Sequence, residues 1–347
     1  MPVTPSYVRA LRLPRDFVLI AVGLDAAMFV INMAVLLLPS TPEAEEMRSA
    51  YASPGVWVTL LAGLLMSWAI AAVLAWSHAR NALERLGMAR VALSHDARLR
   101  FGGVWVVALV LNSYALTPLF YEFQVMFMPG GRLENVFAYS PRISMGVAML
   151  LQSLVQLVVV VLGLWLAARI ALAKSRVAHS AEPYADVADA VDAPEALGVP
   201  PRRAIALLIA TMFSSLQLWG SLAAARWAFP VPDMNVLVLL LTWGLPLAVG
   251  FALAYWGGWL GARRGLPVVR PFRAVAAAVL SFVLVQVGCI VIALAWLFVA
   301  MTTSSGFYSG GGIVGFIGFI VALVLVYLAL VVALTRTVTR RLYRRYS

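Results

Sequence analysis

The sequence predicts an all-α polytopic membrane protein of about eight transmembrane helices with both termini cytoplasmic, and three observations carry that reading. Of 347 residues, 63% are hydrophobic and only 12% charged, with a mean hydropathy of +0.92; soluble domains run to about 45–50% apolar and about 25% charged. Eight apolar runs are each long enough to cross about 30 Å of hydrocarbon at about 1.5 Å per residue. Basic residues fall almost wholly in alternate connections between those runs. Composition alone excludes a water-soluble enzyme, a disordered chain and a disulfide scaffold.

The runs cover residues 17–39, 55–77, 103–127, 143–172, 204–228, 235–261, 274–300 and 313–335. Each must be helical, because in lipid every backbone N–H and C=O needs an internal partner and the runs lack the alternation of barrel strands. The fourth covers 30 residues, so it tilts or emerges from the membrane as helix. Ahead of the first run, Tyr7–Arg15 carries Val8, Leu11 and Leu13 among three arginines, which suits a short interfacial elbow. The run from Phe17 to Leu38 is too long for the core of a signal peptide and reads as a retained first helix.

Ser77 to Phe101 is arginine-rich, and Leu83, Leu86, Val91 and Leu93 are spaced as a surface helix. Residues 173–203 differ: Glu182, Asp186, Asp189, Asp192 and Glu195 alternate with Pro183, Pro194, Pro200 and Pro201, the composition of a flexible linker. The chain therefore divides into a first four-helix half at 1–172, the acidic linker at 173–203, and a second four-helix half at 204–347 with a basic C-terminal tail. Each half begins and ends on the same side, so a duplication of four plus four would be parallel. Asn112 in the third run and Gln286 in the seventh lie at similar depths past a basic boundary.

Net charge is +11, and Lys174 is the only lysine. Of the 26 basic residues, 22 lie on one side of the eight runs; only Arg48, Arg132, Arg142 and Arg226 lie on the other. By the positive-inside rule the richer side is cytoplasmic. The basic segments fit anionic lipid headgroups rather than nucleic acid, whose binders gather their charge on a soluble face. Arginine-for-lysine usage and abundant alanine suggest a bacterial protein of the inner membrane.

Ionisable residues inside a membrane cost about 2.5–3.5 kcal/mol each at a helix centre and are functional candidates by default. Three qualify, Asp25, Glu122 and Arg226, whereas Arg169 stands at the inner end of the fourth run. The third and fifth runs both head outward, so Glu122 and Arg226 reach comparable depth and form a candidate ion pair or snorkel to the interface. Asp25 is a candidate coupling site, with Arg169 as its candidate partner. The third run is the most polar: Tyr114, Thr117, Tyr121 and Gln124 recur at spacings of three and four around Pro118, forming one stripe on a helix that proline interrupts. Discontinuous helices of this kind line substrate paths in transporters, whereas plain interhelical hydrogen bonding is the simpler use of such a stripe. Gly257 and Gly261 form a G-x-x-x-G pair and Gly312, Gly315 and Gly318 recur every third residue, both patterns of close helix packing.

Catalytic and cofactor motifs are missing. His78, His95 and His179 fall outside the runs, Cys289 has no partner for a disulfide, and no P-loop, C-x-x-C, H-E-x-x-H or G-x-S-x-G occurs. No metal, cofactor or enzyme chemistry is implied. The residues favour a transport protein or membrane-embedded permease subunit for an amphiphilic or lipid-like cargo, energised by a separate cytoplasmic ATPase if at all. The alternative is a non-transporting scaffold that assembles partners through its glycine seams and acidic linker; an intramembrane enzyme comes third.

Overall fold

The computed structural model describes residues 6–86, 91–92, 96–128, 130–134, 141–173, 176–177, 200–228, 243–263, 268–302 and 312–344. Among them, seven helices are long and apolar enough to cross a membrane, and one more apolar helix has 17 residues. In chain order these are α1 (Ser6–Leu37), the short α2 (Pro42–Tyr51), α3 (Pro54–Leu86), β1 (Val91–Ala92), α4 (Ala97–Leu111), a π-helical turn (Asn112–Leu116) and α5 (Thr117–Met126). There follow α6 (Pro141–Leu172), β2 (Arg176–Val177), α7 (Pro201–Ala228), α8 (Leu245–Gly261), α9 (Pro271–Thr302) and α10 (Gly312–Tyr343). Helix α8 is the C-terminal part of the sixth apolar run; residues 229–242 and most of the acidic linker, 178–199, lie outside the described residues.

The chain forms two compact units. One comprises Met1–Pro200, Leu218–Leu245 and Val268–Pro271; the other comprises Pro201–Gln217, Pro246–Pro267 and Phe272–Ser347. In the first unit, α1 and α4 meet along a seam that their sequences set out in register. Arg98 donates from Nε and Nη2 to Asp16 Oδ2 at 2.8 and 2.5 Å. One turn deeper Phe17 stacks on Phe101 with centroids 4.0 Å apart, and one turn further Trp105 Nε1 donates to the Ala21 carbonyl at 3.1 Å. Trp105 also lies against α6, where Gly163 leaves it room: a Cβ there would come within 3.2 Å of its ring.

Two sequence-based expectations are corrected here. The N-terminal elbow is not separate, because Ser6–Leu37 is one helix through Pro14; Leu13, Phe17 and Ala21, spaced by four, are all buried and make one continuous stripe. The surface helix drawn through Leu83, Leu86, Val91 and Leu93 does not form either. Helix α3 carries on to Leu86 with Leu83 buried, and Val91–Ala92 pairs antiparallel with Arg176–Val177. Leu93 lies outside the described residues.

Hydropathy also overlooks α2, whose signals are local. Thr41 caps it by accepting the Ala44 N–H at 3.3 Å, and Pro42 occupies the first turn, where its missing N–H is harmless. From its last turn Arg48 donates to the carbonyls of Leu37 and Pro39 at 2.8 and 3.1 Å, capping the end of α1.

In the second unit, Ala210, Phe213, Ala254, Val285 and Val331 form the core, with Phe282, Cys289 and Tyr327 packed around it. Thr211 and Ser215 on α7 are buried, and each hydroxyl donates to the carbonyl four residues back, at 2.9 and 2.7 Å; that is how a hydroxyl is satisfied inside an apolar bundle. Helices α8 and α10 touch at their glycines. A Cβ on Gly257 would stand 1.8 Å from Thr335 Oγ1 and 2.9 Å from the Val332 carbonyl, and one on Gly261 2.6 Å from the Arg336 carbonyl. Gly318 is different: a Cβ there meets nothing within 4 Å. The surroundings of Gly312 and Gly315 lie outside the described residues.

Gly257→Ala and Gly261→Ala must push α10 off α8 and are expected to cost about 1–3 kcal/mol, read as a lowered thermal midpoint of the purified protein. Gly318→Ala is expected to be neutral or slightly stabilising. Equal losses at Gly257 and Gly318 would contradict the seam.

Candidate functional site

The third span is built from two helices because Pro118 interrupts it. Proline has no N–H to give the carbonyl one turn back, and its ring crowds that carbonyl. The chain answers with the five-residue π turn Asn112–Leu116 directly before Thr117. There the Asn112 carbonyl accepts twice from Thr117, from its backbone N–H and from Oγ1 at 2.9 Å. Turns of this kind inside α-helices occur often at functional sites.

The turn sets the placement of the polar stripe. Tyr114, Thr117 and Tyr121 are all exposed, and so is Glu122. Tyr114 reaches across to α1, where its hydroxyl donates to Asn32 Oδ1 at 3.4 Å. Gln124 departs from the other three: it is half-buried and donates from Nε2 to Gln152 Oε1 on α6 at 2.8 Å. Deeper in the span the Asn112 Oδ1 is buried without a hydrogen-bond partner. Its counterpart by depth, Gln286, is differently placed and donates to Gln217 Oε1 at 2.9 Å within the second unit. The stripe is thus three exposed side chains and a carboxylate, with Tyr114 and Gln124 also bonded to neighbouring helices.

Arg226 stands in α7, but its side chain lies outside the described residues, and with it the expected pair to Glu122. Asp25 is half-buried on α1 with the Trp68 indole of α3 as its polar neighbour; Trp68 Nε1 is buried and makes no hydrogen bond of normal geometry. The candidate partner Arg169 lies instead over the Trp165 ring on its own helix, 5.2 Å from the centroid. Asp25 and Glu122 are therefore separate features of the first unit. Among the described residues, no three His, Cys, Asp or Glu side chains converge as metal ligands.

Arg80 belongs to the basic segment that follows the second apolar run, and the structure buries it. Arg80 and Glu84 are buried, their side chains 0% and 3% exposed, with Arg80 Nε donating to Glu84 Oε1 at 2.6 Å. The other carboxylate oxygen, Oε2, accepts the Val269 N–H at 2.9 Å, and the Arg80 guanidinium lies over the Trp76 ring. Glu84 follows Arg80 by four residues, one helical turn, which lets the two side chains meet without itself indicating that they are buried. The pair ties the C-terminal end of α3 to the backbone amide of Val269.

Comparison with family models, with curated proteins and with solved structures finds no match to this chain.

Removing one partner of a buried pair leaves a lone charge in apolar surroundings, which costs about 3–5 kcal/mol. Glu84→Ala is expected to lower thermal stability by that order. The double replacement Arg80→Met with Glu84→Leu is expected to lose less than Glu84→Ala alone; a double variant that loses the sum of both singles would show that the pair is not a coupled unit.

Proposed function

We propose that this chain is a multi-pass inner-membrane transport protein, or the membrane-embedded subunit of one, that moves an amphiphilic or lipid-like cargo along the third span. The observation that carries the reading is the open stripe of Tyr114, Thr117 and Tyr121 beside exposed Glu122, on a helix interrupted by a π turn. Polar side chains used only to join helices are expected to be covered by them, as the part-buried Gln124 and Gln152 amides partly are. Side chains left open at membrane depth suit a polar headgroup that passes while its acyl chains stay in lipid. So few polar groups would poorly replace the hydration shell of a small ion.

In this proposal the chain crosses the membrane eight times, with α8 completing the sixth crossing through residues 235–244. Both termini are cytoplasmic, which places 22 basic residues against anionic headgroups on the inner side. Asp25 serves as the coupling site, Arg226 is a further contact for the cargo, and energy comes from a separate ATPase docking on the arginine-rich inner segments. The second reading, a scaffold that assembles partners, is favoured by the close α8–α10 glycine seam and by the acidic composition of 173–203.

The two readings separate by complementation of a deletion strain. Glu122→Gln, Asp25→Asn and Arg226→Ala are expected to fail while still reaching the membrane; full rescue by all three would overturn the path as drawn. Loss of function and of copurifying protein on deleting 180–199 alone would favour the scaffold. A protease-sensitive tag at Ser347 is expected to be cut only in inside-out vesicles.

A further inference from the structure

We infer that the outer half of the third span receives a positively charged headgroup, the ammonium of an amine-bearing or quaternary amphiphile; this inference rests on the transport reading above. The argument is a count of donors against acceptors. The Thr117 hydroxyl proton is committed to the Asn112 carbonyl and the Tyr114 proton to Asn32 Oδ1. What these groups leave outward are oxygen lone pairs. Pro118 supplies no N–H, so one carbonyl of the turn lacks its usual donor. Asn112 Oδ1 is a further acceptor without a partner, but it is buried and not part of this surface. Glu122 adds an exposed carboxylate, acceptor-only when ionised, and none of the ion pairs Arg48–Glu45, Arg80–Glu84, Arg98–Asp16 and Arg100–Asp96 uses it.

The Tyr121 hydroxyl can give or accept, while the Glu122 carboxylate and the lone pairs of Tyr114 and Thr117 only accept, so the balance calls for a ligand that brings positive charge. Arg132, the next described cation along the chain, lies past the end of α5, in the turn where Glu134 accepts the Gly130 N–H. The exposed rings of Tyr114 and Tyr121 stand seven residues apart, about 10 Å along the helix, and offer their faces to a cation. Carboxylate and ring face together recognise an ammonium group, whereas a phosphate or sulfate head would meet lone pairs and like charge. Asn112 lies ten residues from Glu122, about 15 Å, and its Oδ1 is buried, so the exposed acceptors mark one station, at Tyr121 and Glu122.

The test uses the full chain in nanodiscs and three probes of equal chain length: dodecyltrimethylammonium, neutral dodecyl maltoside and dodecyl phosphate. The expected result is saturable binding of the ammonium probe roughly tenfold tighter than of the other two, with that preference lost in Glu122→Gln. Saturable binding of the neutral or anionic probe with no ammonium preference overturns the charge assignment and leaves the transport reading standing. Saturable binding of none of the three overturns both. An ammonium preference that emerges only in Arg226→Gln shows that Arg226 neutralises Glu122 in the native protein, and overturns the inference.

Discussion

A backbone carbonyl in hydrocarbon has no water to turn to, and much of this structure follows from how that constraint is met. Within the helices the i→i−4 ladder suffices. At their ends it does not, because the last carbonyls of every helix lack a donor. Arginine fills the gap repeatedly. Arg48 donates to Leu37 at the end of α1, Arg202 to Trp259 at the end of α8 at 2.7 Å, and Arg273 to Leu342 at the end of α10 at 2.9 Å. Each brings five donors and a permanent charge to the negative end of a helix dipole. The arginines that flank the apolar runs also close the helices.

The same constraint is met differently in the third span. Pro118 breaks the ladder within the membrane rather than at its edge, and a π turn with two bonds from Thr117 to one carbonyl repairs it only in part. Evolutionary tolerance of such a break needs a compensating gain. Tyr114, Thr117, Tyr121 and Glu122 are left open on that segment, and the proposed function is the use made of them. By contrast the α8–α10 seam spends its glycines on close approach, and the Arg80–Glu84 pair spends two charges on holding one loop amide.

The membrane class and the positions of the long helices were legible in the sequence because apolar length and charge are properties of contiguous residues. So was the interruption at Pro118, since its chemistry is local. The π turn, the burial of Arg80 and the role of Arg48 were not, because each depends on partners distant in the chain or on a choice between helical geometries that hydropathy does not encode. Leu83, Leu86 and Val91 misled for a related reason. Their spacing fits a surface helix, yet Leu83 completes α3 and Val91 pairs with Val177 from another connection. Among the site residues, the spacing that groups Tyr114, Thr117 and Tyr121 was readable, whereas the turning of Gln124 toward Gln152 required knowing which helix lies beside it.

Whether the polar stripe opens onto a water-accessible path is the central claim, and the single cysteine makes it directly measurable. In a Cys289→Ser background, cysteines are introduced singly at Thr117 and Tyr121, and for comparison at Leu162 and Leu166, which are also exposed but lie on apolar α6. Intact vesicles are then treated with a membrane-impermeant maleimide. The account predicts labelling of Thr117→Cys and Tyr121→Cys and none of Leu162→Cys or Leu166→Cys. Stripe positions as unreactive as those on α6 would mean that they face lipid, and would contradict it.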